Sequence, residues 1–129
     1  MDQQTVHEYL VNKPLVKVTQ PFSKEVDVYK VNHKMFATLA LGNDDNNDAN
    51  GEPPIWWLNL KCDPDEALAL RDMFTAVIPG YHMNKRLWNT IILDGTIPQN
   101  EIKRMIDNSF DLVVDNMPEK DKKIIAAHL

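Results

Sequence analysis

Residues 55–62 read Ile-Trp-Trp-Leu-Asn-Leu-Lys-Cys and run without a break into Asp63-Pro64-Asp65-Glu66. The first half alternates at period two. Trp56, Leu58, Leu60 and Cys62 fall on one side of a strand, expected to face the core, and Ile55, Trp57, Asn59 and Lys61 fall on the other. The second half has the signature of a helix start: a capping Asp63, Pro64 at the first helical position, and two carboxylates in the positive first turn. Ala67, Leu70, Phe74 and Val77 then recur at helical spacing until Pro79-Gly80, which predicts a core-packing helix over that span. A half-buried strand feeding directly into an amphipathic helix places the chain in the α+β class.

The flanking sequence extends this pattern. Residues 3–12 predict a short helix with Val6, Tyr9 and Leu10 on one face. Residues 26–31 and 34–41 predict two strands joined at Asn32-His33, with Met35, Ala37, Leu39 and Leu41 facing the core and Lys34, Phe36, Thr38 and Ala40 facing away. Trp57 and Lys61 are then expected to look outward beside Phe36. Residues 42–54 form a polar, acidic segment expected to be a hairpin tip. Asn46-x-Asp48-x-Asn50-Gly51 echoes half of a calcium loop, but the position that should supply a bidentate Glu is Trp57. Residues 88–93 predict a strand, Thr96-x-x-Gln99 a capping box, and residues 98–115 a helix with the stripe Ile102, Met105, Ile106, Ser109, Phe110 and Val113. A short surface helix around Ile124 and Ile125 closes the chain. At 129 residues, one domain over 1–129 is expected.

Composition narrows the functional classes. Fourteen Lys and Arg against nineteen Asp and Glu give a formal net charge of −5, which argues against a protein that coats nucleic acid by bulk charge. The charge is uneven, however. Lys13, Lys17, Lys24, Lys30 and Lys34 cluster early, the 42–54 segment is purely acidic, and the 98–115 region carries Glu101, Asp107, Asp111 and Asp115. One locally positive face on an acidic molecule is therefore expected. No apolar run reaches the roughly 20 residues of a membrane helix, and the first residues lack a signal-peptide pattern. A single cysteine, Cys62, permits no internal disulfide, so a cytoplasmic setting is the expectation. His7, His33, His82, His128 and Cys62 never fall at metal-ligand spacing, and neither a phosphate loop nor a nucleophile elbow is present. The chain is expected to need no cofactor and to be no enzyme.

The richest recognition chemistry is Tyr81-His82-Met83-Asn84-Lys85-Arg86-Leu87-Trp88-Asn89-Thr90. Together with Lys34-Met35-Phe36-Ala37, Leu60-Lys61-Cys62-Asp63-Pro64, Pro79-Gly80 and Ser109-Phe110-Asp111-Leu112-Val113, it resembles the bacterial YjbR/MmcQ family over about residues 1–120. The resemblance implies a CyaY-like fold: two layers, a twisted antiparallel sheet with helices packed on one face. It also implies DNA binding. The matching positions are Lys61, His82, Asn84, Lys85, Arg86, Trp88 and Asn89, while Leu87 stands where a polar residue or His is common. Lys61, Lys85 and Arg86 would meet phosphates, Asn84 and Asn89 sugar or base edges, and Trp88 or Trp57 an exposed base. The alternative expectation keeps Trp88 in the core, Asn84 as a turn cap and Lys85-Arg86 as a solvated tip. A further alternative makes the aromatic sheet face a docking surface for a protein partner or a second copy.

Overall fold

The computed structural model describes residues 1–42 and 55–128. Apart from Gly42, the expected 42–54 hairpin tip lies outside the described residues. Among the described residues the order is α1 (Gln3–Val11), β1 (Val16–Thr19), β2 (Val26–Val31), β3 (Lys34–Leu41), β4 (Trp56–Lys61), α2 (Pro64–Met73), β5 (Val77–Pro79), β6 (Trp88–Ile92), α3 (Gln99–Asp115) and α4 (Glu119–Ala126). The strands make one sheet ordered β1-β2-β3-β4-β6-β5, antiparallel at every pairing.

Directly paired residues share a face, so the register sorts the side chains. Tyr29, Val31, Ala37, Leu39, Leu58, Leu60, Val77 and Ile91 merge with Val6 and Leu10 of α1, Ala67 and Leu70 of α2, the α3 stripe, and Ile125 of α4 into a single core. All four helices thus close one face of the sheet, the α+β arrangement expected from the sequence. The opposite face, called the open face because α1, α2 and α3 pack on the other side, is lined by the alternate strand positions, of which Val28, Thr38 and Thr90 are nonetheless buried. Every member of the 102–113 stripe is buried, as its helical spacing requires. Asp63 caps α2 by accepting the N–H groups of Asp65 and Glu66, with Pro64 in the first turn. Asn32 and His33 make the β2–β3 turn with φ of 47° and 64°, the left-handed pair that a two-residue hairpin needs, here without glycine.

Four expectations are corrected. Strict alternation in β3 fails because the register shifts between Tyr29 and Lys30: Tyr29 pairs with Ala37 and Lys30 with Met35, leaving Phe36 as the extra residue of a bulge. Phe36 therefore turns inward, fully buried and edge-on to Phe110 at 5.4 Å. Leu41, expected inside, is exposed at the strand end. The helix after Asp63 stops at Met73, and Phe74 is extended (φ −124°, ψ 120°). Val77 belongs to β5, because pairing with β6 outweighs a helical pattern that continues only on paper. Finally, Thr96 does not cap α3. Its hydroxyl bonds Asp94 in the preceding turn, and Pro98 occupies the cap position without a side-chain bond. The four-residue edge strand β1 was not anticipated.

Candidate functional site

The open face is ordered by the register. Lys17 pairs directly with Lys30, which pairs with Met35, and Lys61 pairs with Trp88. One pleat along, Val28, Thr38, Asn59, Thr90 and Ile78 form a second row, and Val26, Ala40, Trp57 and Ile92 form a third. Three lysines stand at the first row, and the third is apolar. The six described strands contain four lysines and one carboxylate, Asp27, which pairs with Leu39 on the other side and accepts a hydrogen bond from Gln20. The four helices carry ten carboxylates against six cations. Charge is therefore segregated by layer, with the open face positive and the helical layer acidic.

The middle row is knitted together by side chains. Asn59 Nδ2 donates to Thr38 Oγ1 at 3.0 Å, Thr90 Oγ1 donates to Asn59 Oδ1, and the Tyr81 N–H reaches Thr90 Oγ1 at 2.9 Å. This last bond ties the β5–β6 loop to the sheet. Above it, Trp57 and Tyr81 meet edge to face at 5.3 Å and 89°, and the His82 ring lies 4.1 Å from that of Tyr81. These rings, with Phe22, Leu41 and Met83, wall a cavity of about 520 Å³ floored by Thr38 and Asn59. Trp57 lies so close to Gly42 that a Cβ there would run into the indole ring at Nε1.

The loop itself is fixed by Arg71, at the end of α2. Its Nε donates to Asn89 Oδ1 at 2.7 Å, and its Nη2 donates to the carbonyls of Lys85 and, at 3.3 Å, Trp88. Nothing in the sequence singled out Arg71, since a cation in the last turn of a helix reads as dipole compensation.

The seven sequence-derived positions separate into three groups. His82, Asn84, Lys85 and Arg86 are exposed on the loop, and Lys61 is half-buried on the open face. Asn84 is spent on the turn: its Oδ1 accepts the N–H groups of Arg86 and Leu87. Lys85 Nζ donates back to the Gly80 carbonyl at 3.1 Å. Trp88 and Asn89 are corrections. They are 8% and 2% exposed, and the Asn89 amide is consumed by Arg71 and the Ala67 carbonyl, so neither offers a ring or an edge to a ligand. The register adds Lys17 and Lys30 to the open face, beside Trp57, which the alternation already turned outward, and a backbone bond and a ring contact bring Tyr81 to it. Cys62 is buried, and that burial pushes its thiol up to about 11, away from nucleophile chemistry. Among the described residues no group of three or more His, Cys, Asp or Glu is placed to hold a metal ion, and no helix is long and apolar enough to cross a membrane.

The sequence model of the YjbR family matches residues 11–112, a span from α1 to α3 that includes the bulge, the loop and the Arg71 clasp. The chain belongs to the YjbR family. It is 32% identical over 127 residues to the Escherichia coli O157:H7 protein YbdF, covering 95% of this chain and 96% of that one. A 45% identity to Bacillus subtilis YyaQ extends over 65 residues, about half of each chain. Among solved structures, a Deinococcus radiodurans protein with the DUF419 domain superposes with a TM-score of 0.81 at 27% identity, covering 97% of this chain and 88% of that one. A Pseudomonas syringae protein gives 0.74 at 30% identity over 87% and 98%. The architecture of this YjbR-family chain is therefore shared well beyond the residues that are identical.

Proposed function

We propose that this YjbR-family protein binds nucleic acid through the open face of its sheet, as a non-enzymatic cytoplasmic protein. The observation that carries the reading is the segregation of charge. Although the chain is acidic overall, Lys17, Lys30 and Lys61 share one face of the sheet with no strand carboxylate among them, and the carboxylate that lines a cavity with Lys17 and Lys30 is Asp121 of α4. Lys17 and Lys30 stand directly opposite each other, a pairing that costs stability in a sheet and is compensated when a polyanion lies across it. Lys85 and Arg86 extend the cationic positions onto the loop. With Trp88 and Asn89 buried, the groups this reading assigns to the contact are these cations, for phosphates, and the Trp57 and Tyr81 rings.

The test is fluorescence anisotropy of labelled single- and double-stranded DNA across a salt series, with a Lys17, Lys30 and Lys61 triple Thr variant alongside. Binding is expected to weaken with salt, and the variant to lose about two to three from the slope of log K against log salt. No binding at low salt by folded protein, or an unchanged slope, overturns the reading.

A further inference from the structure

We propose, resting on the nucleic-acid reading, that the cavity between Trp57, Tyr81 and Phe22 seats one unpaired nucleobase. Its shape suits a flat ring. Trp57 and Tyr81 stand at 89° to each other and the His82 ring lies 4.1 Å from that of Tyr81, so a planar group stacked on the Trp57 indole stands edge to face with Tyr81, the two arrangements aromatic rings favour. The volume of about 520 Å³ lies within the range of small-ligand sites. The floor is polar at one place only. Asn59 and Thr38 bond each other, and Asn59 keeps a second amide hydrogen and a second carbonyl lone pair, a donor and an acceptor side by side for a base edge.

The corner is also held in advance of any ligand. Tyr81 is tied to Thr90 through its backbone, Arg71 clamps the loop behind it, and His82 is kept at φ 59°, a conformation few side-chain-bearing residues adopt. Charge complementarity names the occupant. Lys61 is one pleat repeat, about 6.6 Å, along the same face from Asn59, and Lys85 and Arg86 lie in the loop that carries Tyr81. A neutral aromatic ligand would leave those cations unused, whereas a base attached to a phosphate uses both. A paired, stacked base presents neither a free face nor a free Watson–Crick edge, so single strands are expected to bind better than duplex.

The experiment uses the whole chain and a labelled oligo-dT. Competitors are an oligonucleotide of equal length with abasic sites, the dT·dA duplex and free thymidine monophosphate. The abasic strand and the duplex are expected to bind about 5- to 100-fold more weakly than oligo-dT. Tyr81→Ala, on the exposed loop, is expected to lose that discrimination while keeping the salt dependence. Displacement by the monophosphate supports the pocket with a free nucleotide as sufficient source. Discrimination against the abasic strand without such displacement supports it with the strand as source. Equal, salt-sensitive affinity for all three polymers overturns the base pocket and leaves phosphate binding standing. No binding of any probe overturns both readings, as does salt-independent self-association that Tyr81→Ala abolishes. The abasic comparison needs no variant, so a misfolded mutant cannot decide it.

Discussion

Ser109→Ala is expected to be among the most costly single-atom deletions in this protein, although serine in a helix usually matters little. The Ser109 hydroxyl, fully buried on α3, donates to the Phe36 carbonyl at 2.6 Å and accepts the Lys61 N–H at 2.9 Å. It sits beside the β2–β3 bulge, just past the point where the β3–β4 pairing ends at Ala37 and Leu60, and it links the next backbone groups of the two strands. Alanine removes one oxygen and strands two buried backbone groups. Each stranded group costs about 1–3 kcal/mol, the carbonyl less than the amide because it has a second lone pair. Better helix propensity returns roughly 0.5 kcal/mol. The net loss is about 2–4 kcal/mol, which for a chain of this length lowers the melting midpoint by roughly 8–15 °C. Urea unfolding should show a lower midpoint at unchanged slope, and hydrogen exchange should show the Lys61 amide released before its neighbours in β4. A loss below about 0.5 kcal/mol, with Lys61 still protected, would refute the bridging role of the hydroxyl.

Lys17→Thr is expected to stabilise the fold by a few tenths of a kcal/mol in urea unfolding, by removing a like-charge pair, while weakening nucleic-acid binding. Arg71→Lys should speed amide exchange across residues 84–88, because an ammonium cannot reproduce a fork that reaches Asn89, Lys85 and Trp88 together. Gly42→Ala is expected to cost about 1–3 kcal/mol and to shift the Trp57 emission, since the added carbon would lie against the indole. The Cys62 thiol holds its proton to about 11 when folded and to about 9 when unfolded. The unfolded state thus binds fewer protons in that window, and stability falls as pH rises through it. Measured against Cys62→Ala, the wild type should lose up to about 2–3 kcal/mol between pH 9 and 11, and a flat difference would contradict the assignment.

How much of this was legible follows from which interactions are local. β4 and the start of α2 could be read because alternation and capping involve neighbours in sequence, and both are found as expected. The same holds for α3, whose six-residue stripe is buried throughout. β5 was missed because Phe74 and Val77 continue the spacing of α2, and only pairing with β6 shows that the helix has ended. β1 is four residues long and lies at the sheet edge, with Lys17 breaking its apolar run. The site was harder still. Asn89 looks like a free amide until Arg71, eighteen residues earlier, takes it up, and Trp88 looks like a stacking platform although it is buried, with Gly80 of the β5–β6 loop packed closely against it.

The bulge connects these observations to the face that carries the proposed function. Without the extra residue, Phe36 would alternate outward beside Lys61, placing a large ring among the lysines. The bulge moves it inward against Phe110, and Ser109 satisfies the backbone groups that the shift leaves open. The first row of that face then holds Lys17, Lys30, Met35 and Lys61, with Trp88 beside Lys61 but only 8% exposed. Exposed aromatic surface is confined to the other end, at Phe22, 72% exposed, and the Trp57–Tyr81 corner. A surface sorted into a cationic end and an aromatic end can engage the charged backbone and the flat bases of one strand at once, which a mixed surface cannot do. The Ser109-Phe110 pair, remote from any ligand, is on this argument what keeps the two ends apart. A Phe36→Thr variant that stays folded should lose core stability and leave the salt slope of binding unchanged, because Phe36 never reaches the open face.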